Sequence, residues 1–198
     1  MMMQRAATLT RIIIVLIMTG SMAACTDVAV SGAQAAYNHK SIEKKINDQY
    51  ISMQATHQLN RPRFSNTNVD FATLNGEVLM AGQVPEAWQK AEAEERIKQI
   101  DGVTHVYNML SISSPTSGLV RASDAWITAK VKSQMIASSD LDATHVKVVT
   151  ERGTVFLMGT LLPEEADAAV EIASNTAGVT SVVKMFSYMK ITKKRHEA

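Results

Sequence analysis

The sequence predicts an α+β protein in which one small domain is written twice, each copy an αββαβ unit with a three-stranded sheet packed against two helices. Three observations carry this. Residues 68–82 and 145–159 nearly repeat each other at an offset of 77, with Gly76 on Gly153, Val78 on Val155 and Gly82 on Gly159. Residues 101–107 and 177–183 repeat at an offset of 76, sharing a Gly-Val-Thr run. Segments of helical spacing flank both hairpins in the same order. Self-similarity of this length governs the reading of everything else.

The elements follow in order. Ile42, Ile46, Tyr50 and Met53 recur at helical spacing and predict a first helix with those residues as its core stripe. Ser41 is the expected cap, with Lys44 where a capping box would place an acid. Residues 59–68 read as a loop around Pro62. Val69, Phe71 and Thr73 alternate with Asp70 and Ala72, which suits a strand with one wet face. Asn75-Gly76 supplies the two positive φ angles of a type I′ turn, and Arg152-Gly153 is a weaker version of it. Gly76 and Gly153 are thus the expected structural turn residues. The return strands, 77–82 and 154–159, are almost continuously apolar, as expected of a strand paired on both edges and covered on one face. Glycine closing each suggests a bend or a close backbone approach.

Pro85 and Glu86 open the second helix, and Trp88, Ala91, Glu95 and residues 97–100 carry it to the stop at Asp101-Gly102. Residues 105–112 alternate as a third strand. Residues 113–118, Ser-Ser-Pro-Thr-Ser-Gly, read as a flexible link. In the second copy Ser123 or Asp124 caps a helix running to about Ser138. Pro163-Glu164-Glu165 opens the next, whose packing face is Ala166, Ala169, Val170, Ile172 and Ala173. Residues 179–189 form the last strand. The expected domains are 41–112 and 122–190, joined by a linker at 113–121 and followed by a basic tail at 191–198.

Residues 1–24 read as a leader and not as fold. Arg5 and Arg11 precede an apolar run at 12–18, and Met22-Ala-Ala24 leads straight to Cys25, the only cysteine. The apolar run is well short of the ~20 residues that span a bilayer. With Cys at the first mature position the segment resembles a bacterial lipoprotein signal, although Met22 stands where that pattern usually has Leu. The resemblance implies acylation of Cys25, and Thr26 in place of Asp implies the outer membrane, facing the periplasm. A lone cysteine leaves no intramolecular disulfide in an oxidising compartment. Residues 25–40 are small and polar and read as a tether. The formal net charge of +1 becomes −1 without Arg5 and Arg11, so net charge gives no drive toward nucleic acid.

A unit of about seventy residues with the strand-Gly-strand-Gly core and Gly-Val before the last strand resembles a BON domain. The second copy carries the fuller match, in residues 122–135 and 146–159. Two such units behind a lipoprotein signal resemble the dual-BON outer-membrane lipoproteins of the DolP type. That resemblance implies a non-enzymatic protein that helps maintain the cell envelope. It also implies that the first helix of the second unit docks on anionic phospholipid, with enrichment at division sites. The alternative is a periplasmic chaperone or envelope scaffold that binds proteins and no phospholipid.

On that helix Ile127, Val131 and Met135 form one stripe, which reads as core. Trp126 lies on a flank with Lys130, Ser133 and Ala137. A Trp beside lysines suits a membrane interface, where the ring sits at headgroup depth. It equally suits a ring covering the core or the junction between the copies. Arg121, Lys130 and Lys132 against Asp124 leave the stretch at +2. The expected phospholipid-binding residues are Trp126, Ile127, Lys130, Val131, Lys132, Ser133 and Gln134.

No catalytic residue, metal site or cofactor is expected. The five histidines are scattered, no His-Glu-x-x-His is present, and no second cysteine exists. No Gly-x-Ser-x-Gly or phosphate-cradling glycine loop occurs. Glu94-Glu95 and Glu164-Glu165 read as solvated helix charges.

Overall fold

The structure is a computed structural model that describes residues 32–189. The leader, Cys25 and the tail at 190–198 lie outside the described residues. Chain order is α1 (Gly32–Leu59), β1 (Asn68–Leu74), β2 (Glu77–Val84), α2 (Ala87–Lys98), β3 (His105–Ile112), α3 (Gly118–Ala137), β4 (Val146–Glu151), β5 (Thr154–Leu161), α4 (Pro163–Ser174) and β6 (Ser181–Tyr188). Short 3₁₀ turns at Pro62–Phe64 and Ala143–His145 precede the two hairpins.

Each sheet has its return strand in the middle. β2 runs antiparallel to β1 and parallel to β3, and β5 does the same between β4 and β6. Asn75 and Gly76 take φ of 53° and 82°, Arg152 and Gly153 of 50° and 75°. Both positions of each turn are therefore left-handed, as a hairpin twisted like its strands requires. The parallel partner returns through a crossover helix, α2 or α4, which covers one face of the sheet. Gln89 Oε1 accepts the Glu86 N–H at 3.1 Å, and Glu165 Oε2 accepts the Leu162 N–H at 2.9 Å. Both bonds satisfy donors that a helix start leaves open.

Several of the sequence expectations are corrected. Residues 32–40, expected as tether, are helical, and α1 passes through Ser41 without a cap there. Its buried residues are Ile51, Ala55 and Leu59, whereas Tyr50 and Met53 are 42% and 62% exposed. The side chains of Ile42 and Ile46 lie outside the described residues. The true counterpart of Ile127-Val131-Met135 is thus Ile51-Ala55-Leu59, at an offset of 76. α3 starts at Gly118, inside the expected linker, because Ser117 Oγ accepts the Val120 N–H at 3.4 Å. Asp124 is not its cap.

A further correction concerns the central strands. Val78, Met80 and Val84 face the helices, but Leu79 and Ala81 join Phe156, Met158 and Met185 in a separate cluster. That cluster lies between the two sheets, which pack face to face through the sides the helices leave bare. The layers run helices, sheet, sheet, helices. β2 and β5 are continuously apolar because both their faces are covered, not one. Burying Leu79, Phe156 and Met158 contributes about 2 kcal/mol each, so the two copies are held as one body by the seam.

Gly82 shows how tightly β1 and β2 fit. Its φ is 129°, and a Cβ there would lie 2.0 Å from the Asn68 carbonyl oxygen. Gly159 has no such φ and its Cβ would sit 3.0 Å from the His145 oxygen. Gly82→Ala should cost about 2 kcal/mol through strain and overpacking, and Gly159→Ala clearly less. Chemical denaturation of the two variants checks the order.

Candidate functional site: the open flank of the third helix

α3 buries one side and leaves the other uncovered. Ile127, Val131 and Met135 pack into the second core with Leu157, Leu161 and Ala169. On the opposite side Leu119, Trp126 and Ile136 are 85%, 57% and 74% exposed. Leu119, Trp126 and Ser133 are spaced by seven, so they drift only about 20° per step around the helix. Ala122, Ala129 and Ala137 are exposed on the same side, leaving no large polar group between the apolar ones. The Lys130 ammonium stands 4.8 Å from the Trp126 ring centroid, one helical turn on. The flank therefore offers an amphipathic ring, two aliphatic side chains and a cation held against the ring.

The helix is fixed to its sheet by a carboxylate. Asp124 Oδ2 accepts the Arg152 N–H and Oδ1 the Gly153 N–H, both at 2.9 Å, so it clamps the hairpin turn. Asp48 of α1 does the same for Asn75 and Gly76, both at 2.8 Å. A hydroxyl pair adds to each clamp: Thr128 donates to Thr150 at 2.7 Å, and Ser52 to Thr73 at 2.9 Å. The repeat carries a sign of this in the Asp at 48 and 124, again at an offset of 76, hidden at 124 by its reading as a helix cap.

The residues singled out from the sequence divide into three groups. Trp126 and Lys130 come together on the open flank. Ile127 and Val131 are buried and pack the helix onto its core. Lys132, Ser133 and Gln134 are exposed, but Ser133 Oγ donates to the Lys130 carbonyl at 2.9 Å and Gln134 Oε1 accepts from Thr176. Lys132 lies about 120° around the helix from Trp126. Leu119 and Ile136 escaped sequence reading: the former sat in the supposed linker, the latter beside the buried Met135.

Trp88, the other tryptophan, is 43% exposed on α2, with the Arg63 guanidinium 4.9 Å from its centroid. Glu92 pairs with that arginine at 3.2 Å but is shared with Arg96 at 2.6 Å, so the first copy's aromatic–cation pair is part of an ion-pair cluster. Lys130 has no such ion pair among those found in the described residues. No group of three or more His, Cys, Asp or Glu side chains among the described residues is arranged to hold a metal. None of the described helices is long and apolar enough to cross a membrane.

Fold and site together define a class: a tandem αββαβ module, sealed sheet to sheet, that presents one amphipathic helix flank. The chain belongs to the BON-domain family, whose model matches residues 47–114 and 123–190. It is 33% identical over 172 residues to the outer membrane lipoprotein DolP of Haemophilus influenzae, covering 86% of this chain and 89% of that one. It is also 33% identical over 153 residues to a 21 kDa hemolysin of Actinobacillus pleuropneumoniae, covering 76% and 79%. Osmotically-inducible protein Y of Escherichia coli is 32% identical over 120 residues, covering 59% of this chain and 60% of that one.

Proposed function

We propose that this chain is an outer-membrane lipoprotein, anchored by a lipid on Cys25 and facing the periplasm, that docks on anionic phospholipid through α3. Its role is to help maintain the envelope, including at division sites, and it performs no catalysis. The observation that carries the reading is the exposed Trp126 ring with Lys130 held against it on an otherwise apolar flank. An indole at headgroup depth gains from both water and hydrocarbon, and each nearby basic side chain contributes roughly 1 kcal/mol on an anionic surface. Such a helix alone attaches weakly. A lipid on Cys25 would keep the helix at the membrane surface, so anchor and helix act together. The similarity to a named outer membrane lipoprotein over most of both chains supports the location.

The competing reading is a chaperone or scaffold that binds envelope proteins. The exposed Trp88 with its stacked arginine favours it, since such a pair suits a protein surface. Sedimentation of the chain without its leader separates the two. Binding to anionic but not zwitterionic vesicles is expected, and equal indifference to both would leave the scaffold reading.

The anchor has its own test. Cys25→Ala should release the protein from membranes or leave the leader uncleaved. Metabolic labelling with a fatty acid that marked wild type and variant equally would contradict acylation at Cys25.

A further inference from the structure

The seam between the sheets contains a carboxylate with no cation paired to it. Glu151 ends β4 with its side chain on the seam side, 8% exposed. Its partners come from the other copy: Gln83 Nε2 donates to one oxygen, and Asn68 Nδ2 approaches the other at 3.5 Å. Gln83 is fully buried, and its own carbonyl oxygen accepts from Asn68 Nδ2 at 3.3 Å and the Thr116 N–H at 3.1 Å. That fixes the amide so that only its NH₂ faces Glu151. A cleft of about 270 Å³ opens beside them, lined by Asp70 of β1 and by Arg121, Asp124 and Thr128 of α3.

We propose that this junction is a proton-sensitive latch, in which the seam between the two BON domains closes more tightly when Glu151 takes up a proton. The groups facing Glu151 set the direction. Asp124 and Asp70 repel its charge, and Arg152 attracts it. Asp124 is already committed to the turn N–H groups. The Arg121 guanidinium, which donates to the Thr116 carbonyl at 2.8 Å, offsets Asp70 more than Glu151. A protonated Glu151 still has an oxygen to accept from Gln83, so the hydrogen bond survives while the repulsion is lost.

Burial first, and then these neighbouring carboxylates, push the Glu151 carboxyl above its ordinary value despite the Gln83 bond; Asp70 is raised too, again by burial first. A carboxyl whose value is raised in the closed form binds its proton more tightly there. Seam stability is therefore greatest below the ordinary value of 4.5 and falls as pH rises through the raised value. Arg121 and Asp124 belong to α3, so the junction touches the helix that carries Trp126. The latch itself rests on the seam and not on lipid binding.

Two measurements on the mature chain test it. Thermal unfolding of Glu151→Gln, a neutral isostere, should match wild type in acid and exceed it at pH 7. Exposed Glu164→Gln should track wild type throughout. In wild type, the side-chain amide resonances of Gln83 and Asn68 should shift with the titration of Glu151, at a midpoint above that of an ordinary glutamate. An isostere equally or less stable than wild type at pH 7 overturns the latch. Amide resonances that stay still as Glu151 titrates overturn it as well, even where the variant does not fold.

Discussion

Replacing Trp126 with Glu is expected to abolish binding to anionic vesicles while leaving the second domain folded. The ring is more than half exposed and its neighbours on the flank are Leu119, Lys130 and small residues, so the core loses little. The flank loses the group that holds it at headgroup depth and gains a charge that the surface repels. Lys130→Glu should weaken binding by about 2 kcal/mol at low salt, since it removes one favourable charge and adds an unfavourable one. That loss should shrink as ionic strength rises, because exposed charges are screened beyond roughly 10 Å at 0.1 M. A charge reversal at Lys44 of α1 should do little. Vesicle sedimentation with circular dichroism on the same samples checks both halves. Full binding by Trp126→Glu, or its outright unfolding, would remove Trp126 from the docking surface.

Asp124→Ala should be the most damaging single change to the second domain, at about 3 kcal/mol. Asp124 is 5% exposed and bonds two backbone N–H groups that the hairpin turn cannot satisfy otherwise. Hydrogen bonds to a charged group contribute about 1.5–3 kcal/mol each, and orphaned buried donors carry their own penalty. Asp124→Asn keeps one acceptor oxygen and should fall between. Asp48→Ala should cost less than Asp124→Ala, since Asp48 and the Asn75 N–H it accepts are more exposed. Denaturant unfolding of the three variants gives the order. If Asp124→Ala unfolds like wild type, the clamp is not what joins α3 to its sheet.

The fold was legible where a local rule acts alone. Asn75-Gly76 and Arg152-Gly153 announce their turns through backbone sterics, and the alternation of residues 105–112 matches β3 to the residue. It failed where tertiary contacts override local pattern. Tyr50 and Met53 are large and apolar yet face outward. The side of α1 that meets the sheet carries Asp48 and Ser52, polar because they bond the hairpin. Asp70 and Ala72 read as a wet face, but Ala72 and Leu74 pack against the other sheet. On β1 the seam face mixes Asp70 with Ala72 and Leu74, which leaves only a weak period in the sequence. At the candidate site spacing put Trp126 and Lys130 on one flank, and the family resemblance singled that flank out. Leu119 was not, because the cap at Ser117 sits in a Ser-rich stretch that reads as linker.

The most direct test of the docking surface uses the fact that the chain has two tryptophans. Trp88→Phe leaves Trp126 as the only indole, and Trp126→Phe leaves Trp88. Each variant, lacking the leader, is mixed with anionic vesicles whose acyl chains carry bromine, and tryptophan fluorescence is recorded. The account predicts quenching of Trp126 in anionic vesicles, none in zwitterionic ones, and none of Trp88 in either. Bound protein with Trp126 unquenched, or with Trp88 quenched in its place, would contradict docking through α3.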